Sequence, residues 1–573
     1  MKNIKLLNLF LAVCLLFTAN SCDEDLDIKV TDSFASDLVL STPEQVELLL
    51  FSTYNSTESW GLNKSIWWSR RFNIENGSFE SKFNFRDLDR LGLRRGWTAG
   101  NVGDFRDKWA TYWTYIRQAN LFFDLVEGSP AQEQDAEKIA SLVAEMKFLR
   151  ANVYSKLIKF YGGVPILEVA ADLDGDFNIA RNTYEECVDF IVKELDEAAA
   201  ILPETRPDNE FGRATKLAAL AVKSRTLLYA ASDLHDPSMA PQTRDLELYI
   251  YSKSSKWQDA ANAAKEVIDL VGERDLISVA NAQDYQSLFL SPNQDIFFAR
   301  PFGNALFDFG TDANSLWDKT QSPRGYDGWG LSSPTHNFVL QYNMADGTTT
   351  DEATYDPVNP SDNREMRYYA NINYQGAMFR GRVIDYALSV NPDEHGLDSS
   401  DSNTGDGNPL HASKTGYNIR KFQDEGVSVN GGISNGRPFI LYRLAEVYLN
   451  YAEAQYRIGD EVEARKFLNK VTARALQPAI TDSGTGLLEA IKRERRVELS
   501  FEGHNFFDER RWINEAHLGF DIKGLTWSKA ADGSLSNSIE TVVTRPWDTK
   551  QYYLPIPLSE VEKTPAFIQN DGY

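Results

Sequence analysis

The sequence predicts a mainly α-helical protein with long irregular loops and minor β structure. The first reason is a set of segments in which apolar residues recur at steps of three and four, as they do on one face of a helix. The second is the glycine and proline that follow these segments, since both residues end helices. The third is a pair of long stretches, 60–105 and 275–438, which lack this periodicity and are rich in Gly and Asn.

Local signals place the individual helices. Residues 136–161 carry an apolar stripe and are followed by Gly162-Gly163, which ends the helix. Thr183 and Glu186 form a plausible capping box at the start of the next helix. By the same criteria, further helices are predicted over 183–201, 215–232, 256–271, 439–458, 461–475 and 485–501.

Paired antiparallel helices with short turns, such as the Gly459-Asp460 turn, resemble tetratricopeptide units. The spacing between the pairs is irregular, so the prediction is a tetratricopeptide-like helical-repeat scaffold and not a regular solenoid. Loops as long as 60–105 and 275–438 usually carry function when they interrupt a compact chain. We therefore expect the functional site on these loops, with the helices as its support.

The N-terminus has the features of a cleaved export signal over residues 1–21. Lys2 and Lys5 give a basic start, and the apolar stretch 6–17 is too short to span a bilayer. Cys22 follows small residues directly and is therefore predicted to be lipidated, with its acyl chains as a membrane anchor. An ordinary secreted protein with an incidental cysteine at this position is the alternative.

Cysteine and charge content narrow the class of protein. Cys14 would leave with the signal and Cys22 would carry lipid, so Cys187 has no partner for an intramolecular disulfide. The net charge is −24, and loss of Lys2 and Lys5 makes it −26. This acidity argues against nucleic acid or an anionic membrane surface as a partner.

The length allows one large unit or two closely joined units. Removal of residues 1–21 from the 573-residue chain leaves 552 residues, well above the size at which a single core stops growing. We predict an N-terminal helical region at 22–235 and a C-terminal region at 236–573, packed together as one globular unit.

Several long motifs occur in order along the chain. They are WTYIRQANLFFD (113–124), MKFLRANVYSKLIKFYGGVPI (146–166), SSPTHNFVLQYNMADG (332–347), TGYNIRKF (415–422), RPFILYRLAEVYLNYAEA (437–454), LNKVTARA (468–475), IKRERRVELSFEGHNFFDERRW (491–512), YYLPIPLSEV (552–561) and FIQNDGY (567–573). With these motifs the chain resembles the SusD/RagB family of outer-membrane nutrient-binding lipoproteins from Bacteroidetes.

The resemblance implies a surface-exposed, lipid-anchored protein that binds oligosaccharide or polysaccharide. It also implies a partner, a SusC-like TonB-dependent outer-membrane transporter to which the ligand is delivered. The acidic run after Cys22 resembles the surface-export signal of lipoproteins in that phylum. Because members of the family also serve peptide import, a peptide-binding lid of a peptide importer is the alternative function.

Tryptophans in the first long loop are candidates for ligand contact. A pyranose ring stacks its axial C–H face on a flat aromatic ring, and its hydroxyls bind Asn, Asp and Arg side chains. Trp67, Trp68 and Trp97 lie outside any helical stripe, beside polar residues that include Arg70 and Asn73. We predict these five residues as ligand contacts, although some of the tryptophans are also expected to pack in the core.

A second candidate is the segment RGYDGWG at 324–330. Its glycines leave Tyr326 and Trp329 with few neighbours and a permissive backbone. The resemblance implies that loops from this segment and from the first region meet in a shallow, open ligand site. We therefore predict Tyr326 and Trp329 as ligand contacts.

Motifs for catalysis or metal binding do not stand out. The sequence has no HExxH motif and no metal-type spacing of its histidines, so we predict a protein that is not an enzyme, with a glycoside hydrolase as a minor alternative. The Asp-rich segment 398–406 could hold calcium, but it lacks the spacing of an EF-hand loop. A solvated loop is the better interpretation, and we predict no cofactor.

Overall fold

The structure is a computed structural model of the chain. It describes residues 40–56, 74–84, 91–170, 175, 178–301, 315–389, 413–429 and 437–573. Over these residues the protein is mainly helical with small sheets, so the predicted fold class is confirmed. Within the same ranges, no helix has both the length and the apolar content needed to cross a membrane.

The helices and strands alternate along the chain in an irregular order. The helices are α1 (Pro43–Thr53), α2 (Lys108–Val126), α3 (Pro130–Gln134), α4 (Ala136–Tyr161), α5 (Tyr184–Ile201), α6 (Lys216–Ala231), α7 (Lys256–Val271), α8 (Ala282–Ser287), α9 (Ser315–Gln321), α10 (His336–Val339), α11 (Met366–Asn371), α12 (Leu444–Ile458), α13 (Glu461–Arg474), α14 (Gly484–Glu498), α15 (Asn505–Arg511), α16 (Glu515–Leu518) and α17 (Leu558–Lys563). The strands are β1 (Ser81–Phe83), β2 (Ile296–Arg300), β3 (Ser332–Pro334), β4 (Ile372–Asn373), β5 (Met378–Phe379), β6 (Arg382–Val383), β7 (Leu388–Ser389), β8 (Asn418–Ile419), β9 (Phe439–Arg443), β10 (Phe520–Lys529) and β11 (Leu535–Arg545).

The long helices pack in sequence, each against the next. Helix α4 packs on α5, α5 on α6, α6 on α7, and α12 lies against both α7 and α13. Local signals set their ends, as predicted. Gly162 has a φ of 75° at the end of α4, and Thr183 and Glu186 form a reciprocal capping box at the start of α5.

The predicted helix over 439–458 is wrong in its first turn. Residues Phe439–Arg443 form strand β9, and α12 begins only at Leu444. Strand β9 pairs antiparallel with β2, with Tyr442 opposite Phe298. An apolar run of this kind fits a helix or a buried strand equally well, and a pairing partner distant in sequence decides between them.

The strands form several small sheets. Strands β10 and β11 make an antiparallel hairpin, on which β7 adds a short parallel edge. Strand β1 pairs antiparallel with β3, with Ser81 opposite Pro334. The β structure is therefore minor, as predicted, and it lies in the regions between the helical blocks.

Two large apolar clusters hold the described part of the chain together. The first, called the scaffold core, is built by the long helices and includes Leu50, Leu149, Leu228 and Leu449. The second, called the loop core, is built by the segments between the helices and includes Phe338, Tyr342, Phe379, Ile419 and Trp527. The region without helical periodicity therefore has an apolar interior of its own.

Buried ion pairs join α14 to the loop core. Arg443 contacts Glu498 and Glu502 at 2.7 Å each, and Lys421 contacts Glu502 at 2.7 Å. Burial opposes the ionisation of Glu498, but Arg474, Arg443 and other cations outweigh it and hold the pKa of that carboxyl well below its usual range.

The C-terminal residues cross the scaffold as an extended segment. Leu554 donates its backbone N–H to Phe160 O at 2.7 Å, next to prolines that exclude helix. The Asn570 side-chain amide donates to Tyr161 O at 3.1 Å and to Leu554 O at 2.6 Å. The last twenty residues thus bind the end of α4.

Cys187 is a free, buried thiol on α5. Its Sγ donates to Val164 O at 3.3 Å, and burial raises its pKa to about 12. The side chain therefore acts as a small packing residue beside the end of α4.

Candidate functional site

The Trp329 loop, residues 322–331, connects α9 to β3, and backbone hydrogen bonds tie it to the last turn of α9. Trp329 N donates to Lys319 O at 2.7 Å, and Leu331 N donates to Thr320 O at 2.8 Å. A Cβ atom on Gly328 would lie 1.9 Å from Ser322 O, so this position requires glycine. The loop is therefore defined by backbone geometry and presents its side chains from a fixed base.

Tyr326 lies partly exposed on this loop and is held on two sides. Its hydroxyl donates to Arg382 O at 2.9 Å, and its ring meets Phe379 edge-on at 5.1 Å. The guanidinium of Arg382 lies 3.8 Å from the ring centroid. Tyr326 and Arg382 thus form a stacked aromatic–cation pair, and Trp329, three residues further along the loop, is partly exposed.

The hairpin of β5 and β6 continues this surface. Met378 and Val383 lie opposite each other in the hairpin and are 58% and 50% exposed. Arg380 anchors the hairpin through an ion pair of 2.8 Å with Asp318 on α9. Exposed apolar side chains therefore lie next to the Tyr326–Arg382 pair on a supported hairpin.

The β1–β3 sheet brings the two predicted regions together in space. At its end, Asn84 N donates to Leu331 O at 2.9 Å. The Asn84 side-chain amide donates to Gly330 O and to Ser333 Oγ, each at 2.6 Å. The chain that leaves β1 therefore runs directly beside the end of the Trp329 loop.

Four of the residues predicted to contact ligand lie outside the described ranges. They are Trp67, Trp68, Arg70 and Asn73, and they stay a prediction. The segment that contains them is followed directly by Ile74–Gly77, and β1 comes next.

The prediction that Trp97 contacts ligand is wrong in this conformation. Its side chain is 1% exposed, its Nε1–H donates to Leu91 O at 2.6 Å, and its ring meets Phe105 edge-on at 5.5 Å. With its polar atom satisfied inside the protein, Trp97 packs in the scaffold core.

Trp109 and Trp113, one turn apart on α2, differ from each other in burial. Trp109 is 4% exposed, whereas Trp113 is only partly buried and packs on the edge of the scaffold core. Both line an apolar groove of about 240 Å³ with Leu167 and Phe567.

Two buried carboxyls lie on either side of the turn that enters β1. Glu75 and Glu80 are 3% and 0% exposed, and within the described residues one oxygen of each has no hydrogen-bond partner. Burial raises the pKa of Glu75 to about 7, and the pKa of Glu80 lies well above its usual range for the same reason. Glu502 adds to both shifts, and Lys421 opposes them.

Sequence reasoning missed Arg382 and Phe379. Both belong to the stretch MFRGRV at 378–383, whose Gly381 marks a tight turn. That glycine predicts a hairpin, but nothing in the stretch indicates a contact with Tyr326.

The described ranges contain no group of three or more His, Cys, Asp or Glu side chains arranged to hold a metal ion. The segment 398–406, considered for calcium, lies outside those ranges.

Comparison with known proteins identifies the family. A model described as the SusD family matches residues 296–573, and one described as starch-binding associating with outer membrane matches residues 72–228. The two models match different parts of the chain, and together they cover more than half of it. The protein belongs to the SusD/RagB family.

Curated relatives match over most of their length. A SusD-like protein P25 of Formosa agariphila is 23% identical over 99% of both chains. The starch-binding protein SusD of Bacteroides thetaiotaomicron is 23% identical over 81% of this chain and 78% of its own. The name of the second relative describes a starch-binding protein.

Solved structures share the fold. A SusD-like protein of Bacteroides fragilis is 26% identical, with a TM-score of 0.77, covering 95% of this chain and 99% of its own. A SusD-like carbohydrate-binding protein of the same species is 24% identical, with a TM-score of 0.73, covering 92% and 99%.

Proposed function

We propose that the protein binds oligosaccharide or polysaccharide chains at the surface formed by Tyr326, Trp329 and Arg382. The observation that carries this proposal is the stacked Tyr326–Arg382 pair on the loop with a fixed backbone that also carries the partly exposed Trp329. Flat rings offer stacking faces to pyranoses, and the guanidinium offers hydrogen-bond donors to their hydroxyls. The names of related proteins, which include starch and carbohydrate binding, support the same ligand class.

Trp67, Trp68, Arg70 and Asn73 belong to this proposal as further ligand contacts. Their support is the short connection from the segment that contains them to β1, which pairs with the strand after the Trp329 loop.

The expected affinity is modest. If each stacking contact contributes roughly 1 kcal/mol, a few contacts with hydrogen bonds reach about micromolar to millimolar dissociation constants. An affinity in this range suits capture and release. We therefore propose a non-catalytic role, in which the protein holds glycan and delivers it to a SusC-like TonB-dependent transporter.

The proposed location is the outer surface of the outer membrane, with lipid on Cys22 as the anchor. The support is the export signal with its following cysteine, and a matching family model described as associating with outer membrane.

Affinity electrophoresis through gels that contain single polysaccharides tests the ligand class. We expect retardation of the wild-type protein by at least one polysaccharide, and loss of most of it in Trp329→Ala. Trp257→Ala is the matched control, because Trp257 is a partly buried tryptophan of α7 that packs on the scaffold core.

Two results would contradict the proposal. One is binding of peptides without any glycan, which would favour the peptide-import alternative. The other is release of reducing ends from polysaccharide by the purified protein, which would make it a hydrolase.

A further inference from the structure

A second cavity lies on the helical scaffold. It measures about 540 Å³ and is formed by the loop between α5 and α6 and by the segment that leads into β2. We call it the Phe211 cavity, after the aromatic residue on its wall. Phe297 and Phe298 line it and belong to the scaffold core, whereas Tyr326 packs against the loop core. The cavity and the Trp329 loop are therefore supported by different apolar clusters.

Ion pairs and a close backbone approach hold the wall of the cavity. Arg206 contacts Glu145 at 2.8 Å and Glu210 at 3.0 Å, and Arg213 contacts Glu47 at 2.7 Å. Gly212 has a φ of +96°, and a Cβ atom there would lie 2.6 Å from Pro301 Cδ. The loop is thus fastened to α1, α4 and the end of β2, so the cavity needs little reorganisation to accept a ligand.

The side chains that line the cavity combine an aromatic face with uncommitted polar groups. Phe211 is half-buried, does not belong to the scaffold core and stacks on no other ring within the described ranges. Glu204, Asp208 and Gln294 are exposed at the rim. Arg274 is also exposed, and its Nε donates only to Val271 O at 3.4 Å.

This combination selects the chemistry of the ligand. An aromatic ring stacks on the C–H face of a sugar, and carboxylate, amide and guanidinium groups bind hydroxyls as acceptors and donors. The rim carries the two carboxylates Glu204 and Asp208 against one uncommitted cation, Arg274, so no excess of positive charge favours an anion. A purely apolar ligand would leave these polar groups without partners.

We propose that the Phe211 cavity is a second glycan-binding site, specific for a neutral, hydroxyl-rich chain. This proposal rests on the proposed function, because the ligand of the cavity is the same polysaccharide that the Trp329 loop binds. A polymer that occupies both sites gains from effective concentration, whereas an oligosaccharide too short to span them does not. The protein would therefore hold long chains more tightly than short ones.

The test uses the full mature chain, with soluble starch, laminarin and xyloglucan and with oligosaccharides cut from whichever polymer is retained. Isothermal titration calorimetry compares the wild type with Phe211→Ala, Trp329→Ala and the double variant. We expect Phe211→Ala to weaken polymer binding about tenfold and to leave one of two oligosaccharide sites. Trp329→Ala should keep residual oligosaccharide binding at the cavity. The double variant should lose this binding.

Phe211→Tyr and Phe211→Leu keep the proposal falsifiable if the alanine variant folds poorly. Tyrosine retains a flat ring and should preserve binding, whereas leucine retains apolar volume without the ring and should reduce it about tenfold. Hydrogen exchange provides an independent readout, since residues 203–215 and 292–299 should gain protection when the oligosaccharide saturates the wild type.

The outcomes separate the two proposals. If Trp329→Ala abolishes all glycan binding and Phe211→Ala changes nothing, the second site is refuted and the first stands. If Phe211→Ala removes binding and Trp329→Ala does not, the cavity proposal stands and the Trp329 site is refuted. If the wild type binds none of the glycans, both proposals fail.

Discussion

Burial decides what individual side chains contribute near the candidate site. Trp97 and Trp329 are both tryptophans next to glycine in irregular segments, but Trp97 is 1% exposed and Trp329 is partly exposed. The sequence predicts Tyr326 and Trp329 as ligand contacts because flanking glycines indicate a loop. It could not find Arg382, because the contact with Tyr326 joins residues 56 positions apart.

The buried carboxyl of Glu75 should make the stability of the protein depend on pH. Burial raises its pKa from the ordinary 4.5 to about 7, so between these values the folded state keeps a proton that the unfolded state has released. The stability from this proton is fully present below about pH 4.5 and is lost as the pH rises through about 7. We expect Glu75→Gln to gain stability relative to the wild type from pH 5 to pH 8, as measured by urea denaturation.

The exposed Glu133 supplies the control, since its side chain lies in solvent and Glu133→Gln should change stability by less than about 0.5 kcal/mol. A difference between Glu75→Gln and the wild type that stays constant across this range would show that Glu75 does not titrate as argued.

Secondary-structure elements were predictable where the signal is local. The bounds of α4 and α7 agree with the prediction, because apolar spacing and the following glycine both lie within the helix and its end. Strand β9 could not be predicted from local signals, because it pairs with β2, more than a hundred residues earlier in the chain. The short β1–β3 pairing at the site was missed for the same reason.

Arg443, at the junction of β9 and α12, should be a strong determinant of stability. Arg443→Met would leave Glu498 and Glu502 buried without one of their cations, which we expect to cost about 3–5 kcal/mol. Guanidinium chloride denaturation measures this loss. Lys265→Met removes an exposed pair with Asp269 on α7 and should change stability by less than about 0.5 kcal/mol. Equal, small losses in the two variants would contradict this role for Arg443.

At the scale of the whole molecule, two apolar clusters support two kinds of surface. The scaffold core carries the packed helices and the Phe211 cavity, and the loop core carries the Trp329 loop. Sequence periodicity predicts the first core, since its residues repeat along helices. The loop core combines residues from many short segments, so no local pattern in the sequence predicts it.

The anchor can be tested on the intact cell. We expect Cys22→Ala to abolish labelling by radioactive palmitate and to move the protein from the membrane fraction to the soluble fraction. Cys187→Ala is the matched control, because this thiol is buried and should not affect labelling. Persistent labelling of Cys22→Ala would place the lipid elsewhere.

The C-terminal segment has a consequence for biosynthesis. The Asn570 side-chain amide donates to Tyr161 O, which also accepts from Arg181, so a residue made 409 positions later helps to hold the end of α4. We expect the scaffold to finish folding only after residue 570 has left the ribosome. Polypeptides that lack residues 554–573 would then leave the end of α4 uncovered and more accessible to proteases.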